Sequence, residues 1–477
     1  MLLKEAVMSD SGNNGIVRRK FFQNSGMALL AGYAFTDKKG LAQTVRRANS
    51  DKYQSVTMNT HDYVGEIEER LDFPKDWEID VMQLAGENLP PLTPEQIIER
   101  LRSPIGSKQL RDIAAGKKNA VVTFDDISRP TPVHLIAEHV ANELNAAGID
   151  DDHILFICAQ GSHQSMTHSE AMAKLGPVFQ RCPWMSHNIH TNCLDVGRTT
   201  WNNRIQVNGF LANADVKVLI GAIRDHPGFG YSGGAKSIIP GMVSLETIKY
   251  NHAVIGGIPK GNRVYEGHDN PNTGRNHVID NEMRLDAVEA ARLAGIDFSI
   301  NVVQSGTRKV LGLHCGDVLD AHLSACRQAI NVIAWDREVN DRDYDIVVSN
   351  SYPASRYSPI KFGRPREGGT SISVSQSPLG RHMHYLHDSG TWNLEPWWIG
   401  NYHPRTAPYN RIILSQYMSK ALTINYEDVV IHPSWDKILP ILEKEYKSGT
   451  KVLVYPYGSI AHAPKKATLY PEDVKKG

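Results

Sequence analysis

A basic surplus is missing from this 477-residue chain: 52 lysines and arginines meet 52 aspartates and glutamates. A dedicated nucleic-acid binder carries a positive excess, so no nucleic-acid partner is expected. No run of about 18 apolar residues occurs, which excludes the usual helical membrane span. The five cysteines, Cys158, Cys182, Cys193, Cys315 and Cys326, contain no C-x-x-C pair. An odd number cannot form a fully paired disulfide framework. Neither the 38 glycines nor the 25 prolines suffice for a low-complexity chain. What remains is a neutral globular composition, 41% hydrophobic, about twice the size of one compact domain. Its expected partners are small molecules.

The overall neutrality hides an uneven start. Residues 1–55 hold nine basic and four acidic side chains, leaving 43 against 48 in the rest. Within this leader, Val17-Arg18-Arg19-Lys20-Phe21-Phe22 precedes a mildly apolar run from Gly26 to Phe35. A charged region, a short apolar stretch and small residues describe an export signal, and the arginine pair makes it resemble a twin-arginine signal. Periplasmic or exported location through the twin-arginine translocation machinery is therefore expected, with cleavage somewhere after Leu41-Ala42. The plainer alternative is a basic tail on a cytoplasmic protein, since Arg46-Arg47 shows that such pairs also occur elsewhere. Unpaired cysteines suit a route that carries proteins already folded.

Beyond the leader, β-branched runs alternate with helical periodicity. Ala120–Phe124, His153–Cys158, Val216–Ile220 and Phe298–Val303 read as buried strands. Helical spacing is present over Val133–Leu144, Ser244–Val254, Ile279–Ala294 and Val318–Ile333. The charged stretch Asp336–Asp343 reads as a linker, and Asp345–Ser349 opens a second series that closes with Lys451–Tyr455. The expectation is an α/β protein of two domains with mostly parallel sheets and the active site in the cleft between them. Residues 1–55 are the leader, 56–335 a cofactor-binding and catalytic domain, and 336–477 a C-terminal α/β domain.

The informative residues lie just after the strands. Phe124 leads to Asp125-Asp126-Ile127-Ser128-Arg129-Pro130, and Cys158 to Ala159-Gln160-Gly161-Ser162-His163. Ile220 leads to Gly221-Ala222-Ile223-Arg224-Asp225-His226, and Val348 to Ser349-Asn350-Ser351-Tyr352-Pro353. Open α/β sheets bind ligands outside the carboxyl ends of their strands. The longest motif is Asp225-His-Pro-Gly-Phe-Gly-Tyr-Ser232-Gly233-Gly234-Ala-Lys236, with Asn251-His252 later in the chain. A P-loop reading fails, because G-x-x-x-x-G-K-[ST] requires glycine where Ala235 stands. Lys236 ends the turn, where an amine serves as a phosphate contact or a covalent anchor.

Taken together, Asp126-Ile-Ser-Arg129-Pro, Gly161-Ser-His163, His226 with Lys236, Asn251-His252 and Tyr357-Ser358-Pro-Ile-Lys361 resemble the nickel-dependent lactate racemase family. That resemblance implies a nickel-pincer nucleotide, pyridinium-3-thioamide-5-thiocarboxylic acid mononucleotide, tethered through Lys236. It implies His252 as the nickel ligand and His163 with His226 as a pair of acid/base groups. Arg129 and Lys361 match groups that hold a substrate carboxylate, with Tyr357 and Ser358 beside them, while Asp126, Ser232, Gly233 and Gly234 match the cofactor site. It also implies cofactor-maturation enzymes as partners. Ser358 stands where the lactate enzyme has Gln, and Pro227 and Gly228 replace bulkier aromatics, which points to a 2-hydroxy acid larger than lactate.

The chemistry is consistent with that resemblance. The C–H beside a hydroxyl and a carboxylate is barely acidic, so inversion is easier by moving hydride to an electrophilic cofactor while the hydroxyl proton leaves. Such a racemase or epimerase needs a proton-handling group on each face, and imidazoles, with an unperturbed pKa of about 6.5, suit the task. A pyridoxal-phosphate racemase using Lys236 and a noncatalytic exported hydroxy-acid-binding protein are the alternatives. The run His382-Met-His384-Tyr-Leu-His387 reads as an exposed loop, and Trp392, Trp397, Trp398 and Tyr402 read as packing residues or a substrate-shaping insert.

Overall fold

Two six-stranded sheets carry the fold in the computed structural model, which describes residues 51–63, 65–257, 270–354, 360–378, 380, 407–420 and 428–462. The leader to residue 50, Tyr357, Ser358, the His382–His387 run and the tryptophan cluster lie outside the described residues. From edge to edge the first sheet runs Val310–Gly316, Phe298–Gln304, Val216–Ala222, Ala120–Phe124, Ile154–Cys158 and Trp184–Ser186. All its pairs are parallel except the antiparallel hairpin of Phe298–Gln304 with Val310–Gly316. The second runs Val429–His432, Asn410–Leu414, Thr370–Val374, Ile346–Asn350, Lys451–Tyr455 and Glu78–Val81, parallel throughout.

Strand alternation divides the first core. Ala120, Val122 and Phe124 pack with Phe156, Val218 and the helices Ala137–Ala146 and His168–Leu175. Val121, Ile157 and Leu219 point the other way, into a core completed by Ile238, Ile248, Met283 and Ala287. Successive side chains of a strand face opposite sides, so burial on both faces demands the near-continuous apolar runs seen in the sequence.

Two features depart from the linear reading. Glu78–Val81 pairs with Lys451–Tyr455, so a strand from the N-terminal half is the edge of the second sheet. The helical pattern expected over Ser244–Val254 resolves into a short α-helix, Leu245–Lys249, and a π-turn, Tyr250–Ile255. The residues from Gln54 onward cluster as one compact unit.

Strand order places the site. In the first sheet, chain order runs outward in opposite directions from the neighbours Ala120–Phe124 and Val216–Ala222. Loops leaving two such strands diverge to opposite faces and open a crevice at their carboxyl ends.

Candidate active site

The loop after Ala120–Phe124 assigns its adjacent aspartates to different tasks. Asp126 is buried; its Oδ1 accepts from the Ser128 amide at 2.8 Å and its Oδ2 meets His163 Nδ1 at 2.9 Å. Asp125 instead pairs with Lys174, whose Nζ is fully buried and 2.7 Å from Oδ1. Lys174 also donates to the Arg129 carbonyl at 2.8 Å and to Tyr63 Oη at 3.1 Å. Burial works against the charge on Lys174, but Asp125 and Tyr63 outweigh it and hold its pKa above the ordinary value. The loop that presents Arg129 is thus fastened from beneath by an ammonium ion.

His163 stands at the next strand exit and is buried. With Nδ1–H given to the Asp126 carboxylate, its lone pair lies on Nε2, 3.3 Å from Arg129 Nη2. His226 has the opposite tautomer. Its Nδ1 accepts from the amides of Gly228 at 3.2 Å and Phe229 at 3.1 Å, so its proton resides on Nε2. Burial, then the charges of Lys236 and Arg129, hold its pKa well below 6.5. His163 therefore presents an acceptor and His226 a donor.

The glycine-rich stretch turns sharply before Lys236. Gly233 and Gly234 have φ of +81° and +55°, and a Cβ on Gly234 would lie 2.8 Å from the His322 ring. Only glycine fits there. The turn is held through its carbonyls: Arg284, fully buried, donates to Phe229 O at 2.9 Å and to Tyr231 O, and His322 Nε2 donates to Ser232 O at 3.0 Å. The Ser232 hydroxyl donates to the Ala222 carbonyl at 2.6 Å. Burial, with Arg129, Arg224 and Arg284, drives the Lys236 pKa well below its usual value.

His252 lies within the π-turn, a local widening that recurs at functional sites. Its Nδ1–H donates to Ile248 O at 3.1 Å, which puts the lone pair on Nε2, as a metal-ligating imidazole requires. The neighbouring Asn251 donates to Asp286 at 2.8 Å. Asp286 is buried and also accepts from Thr199 at 2.6 Å and Asn203 at 2.9 Å, so three donors converge on one carboxylate. Phe229 joins the parts: its ring lies 5.4 Å from the His226 ring, 5.6 Å from the His252 ring and 5.1 Å from Lys236 Nζ.

One pocket at the first sheet's switch point is walled by Asp126, Arg129, His163, Ser232, Gly233 and Lys236. Gly234, His226, His252 and Lys361 are not among its walls. His226 is coupled electrostatically to Lys236, Arg129 and His252. Lys361 is tied to the same field: burial first, then Arg224 and Arg275, lower its pKa to about 8. Arg224, in the strand exit Gly221–His226 and given no role from the sequence, is also a pocket wall. Arg284, Asp286 and Lys174 gave no signal in the sequence, because only folding brings their helices to the site.

The chain is thus an α/β protein with imidazole, guanidinium and amine side chains gathered near its strand exits. Residues 64–261 match the family model of the lactate racemase N-terminal domain. The lactate racemase of Lactiplantibacillus plantarum is 30% identical over 297 residues, 60% of this chain and 66% of that protein. The lactate racemase of Thermoanaerobacterium thermosaccharolyticum is 29% identical over 285 residues, 58% of this chain and 63% of that protein. The alignments therefore span slightly under two thirds of these relatives' length. In three dimensions the lactate racemase apoprotein of T. thermosaccharolyticum matches with a TM-score of 0.59 at 20% identity, over 86% of this chain and 100% of that one. A structural-genomics protein from Thermotoga maritima matches with a TM-score of 0.54 at 19% identity, covering 78% of this chain and 98% of that one. At these identities the structural matches establish the fold.

Proposed function

We propose that this protein is an isomerase that inverts C2 of a 2-hydroxy acid, using a nickel-pincer nucleotide tethered to Lys236. The observation that carries this reading is the convergence of Lys236, the donor Nε2 of His226 and the metal-ready Nε2 of His252 around Phe229, with the acceptor Nε2 of His163 in the pocket that Lys236 lines. The residues fit the group. A buried amine whose pKa is pushed down suits acyl tethering, His252 has the right tautomer, and Gly233 and Gly234 let a ligand approach the backbone closely. Lys236 and His252 would hold the nucleotide and its nickel, with Asp126 and Ser232 lining the site. When bound, the group supplies acceptance and return of hydride at carbon.

The protein's own residues handle charge and protons. Arg129 takes the substrate carboxylate, and Lys361 adds a second positive charge. His163 Nε2 receives the hydroxyl proton, while Asp126 stabilises the imidazolium that forms. His226 Nε2–H gives a hydrogen bond to the substrate oxygen on the opposite face, and the proton held by His163 goes back to that oxygen when the inverted hydroxyl forms. The sequence relatives are lactate racemases; the small residues at Gly228 and Ser358 support a larger acid here.

The test is the fate of deuterium. Protein from its native host, turning over a C2-deuterated hydroxy acid in ordinary water, should retain most of the label in the inverted product. Complete washout would identify a proton-transfer racemase and overturn the proposal. An absorption spectrum and intact mass distinguish pyridoxal phosphate on Lys236. We propose further that maturation enzymes load the protein before export by the twin-arginine route, supported by Arg18-Arg19; retention of wild type in the cytoplasm would overturn the export assignment.

A further inference from the structure

One wall of the pocket is not used by this chemistry. Gln304 ends the strand Phe298–Gln304, where an irregularity in the hairpin register falls between Val303 and Gln304. Its side chain is 2% exposed, and neither Oε1 nor Nε2 has a hydrogen-bond partner among the described residues. Gln304 lines the same pocket as Arg129, His163 and Lys236, beside Ile223, Ile333 and Ile460. Tyr231 packs in the apolar cluster that contains Ile223 and Ile333, and its buried hydroxyl is likewise without a partner among the described residues.

An unpaired amide in the pocket wall and an unpaired phenol in the adjoining apolar cluster cost stability, and native proteins rarely leave both ends of a buried amide unmet. An amide offers a donor and an acceptor together, which matches a hydroxyl group, itself both. A methyl or aryl end on the ligand would leave these atoms unsatisfied, whereas a hydroxylated chain would pair them.

We infer that Gln304, assisted by Tyr231, is a specificity-determining residue that binds a hydroxyl beyond C2, so the preferred substrate is a polyhydroxy 2-hydroxy acid. This rests on the reading under Proposed function for the reaction, but the binding subsite can be measured without turnover.

The probes are lactate, glycerate and gluconate, titrated calorimetrically into the full-length loaded protein and into Gln304→Met and Tyr231→Phe. Wild type should bind gluconate and glycerate more tightly than lactate, and Gln304→Met should reduce the gluconate-to-lactate affinity ratio by about tenfold to a hundredfold. Tyr231→Phe should reduce it by less. Without ligand, Gln304→Met should melt a few degrees higher than wild type, because it removes unmet polar atoms at similar volume. An unchanged ratio in Gln304→Met overturns the assignment, as does a wild type with no preference for the hydroxylated acids. Loss of the nucleotide mass or of nickel from Gln304→Met also overturns it, by giving the amide to the cofactor. If the affinity ratios behave as stated but none of the acids is inverted, the subsite stands and the racemase reading falls.

Discussion

Replacing Lys174 by methionine tests whether the loop carrying Asp126 and Arg129 is held by a buried ion pair. The side chain is fully buried, and its ammonium touches Asp125, the Arg129 carbonyl and Tyr63 Oη. Removing one member of such a pair leaves the other charge uncompensated, which costs about 3–5 kcal/mol. The lower end applies here, because the Asp125 side chain is 20% exposed and also accepts from Thr131 Oγ1. For a unit of this size, about 3 kcal/mol is roughly 3–6 °C in melting temperature. The pKa of Lys174 is raised on folding, so its stabilisation is complete below the lysine's unfolded value and fades only as pH rises through the folded one. Neutral-pH calorimetry therefore sees the whole effect. Lys174→Met with Asp125→Asn should recover most of the loss, since no charge is then stranded. A single variant that melts like wild type, or a double variant no better than the single, would refute the argument.

Asp126→Asn should lower kcat for C2 inversion about 10²–10⁴-fold, because Nδ1 of His163 loses the carboxylate that fixes its tautomer; steady-state kinetics check this. Lys236→Ala should abolish the nucleotide mass increment, whereas His252→Ala should keep it and lose nickel, as read by intact-mass and metal analysis; normal nickel in both would sink the cofactor site. Asn251→Ala, which cuts the link from the π-turn to Asp286, should weaken nickel retention about 10–100-fold with the tether intact, measured by competition with a chelator. KM should rise above about pH 8, where Lys361 gives up its proton and its charge, and Lys361→Arg should flatten that rise in a pH series.

The sequence by itself determined the sheets' inner strands and the order of the site. Ala120–Phe124, Val216–Ala222 and Phe298–Gln304 were legible because strands buried on both faces must be apolar without interruption. Arg129, His163 and His226 stood out as candidates because loops after such strands open at the sheet's ligand-binding edge, and Lys236 because it ends the glycine-rich turn. Tertiary structure alone decided what depends on distant contacts. It placed Glu78–Val81 in the second sheet, since a short edge strand carries too little apolar pattern to show its partner. It turned Tyr250–Ile255 into a π-turn, whose extra residue is stabilised by Asp286 on another helix. It also set the opposite tautomers of His163 and His226, because a ring proton obeys the hydrogen bond its other nitrogen makes, and that partner is chosen by the fold.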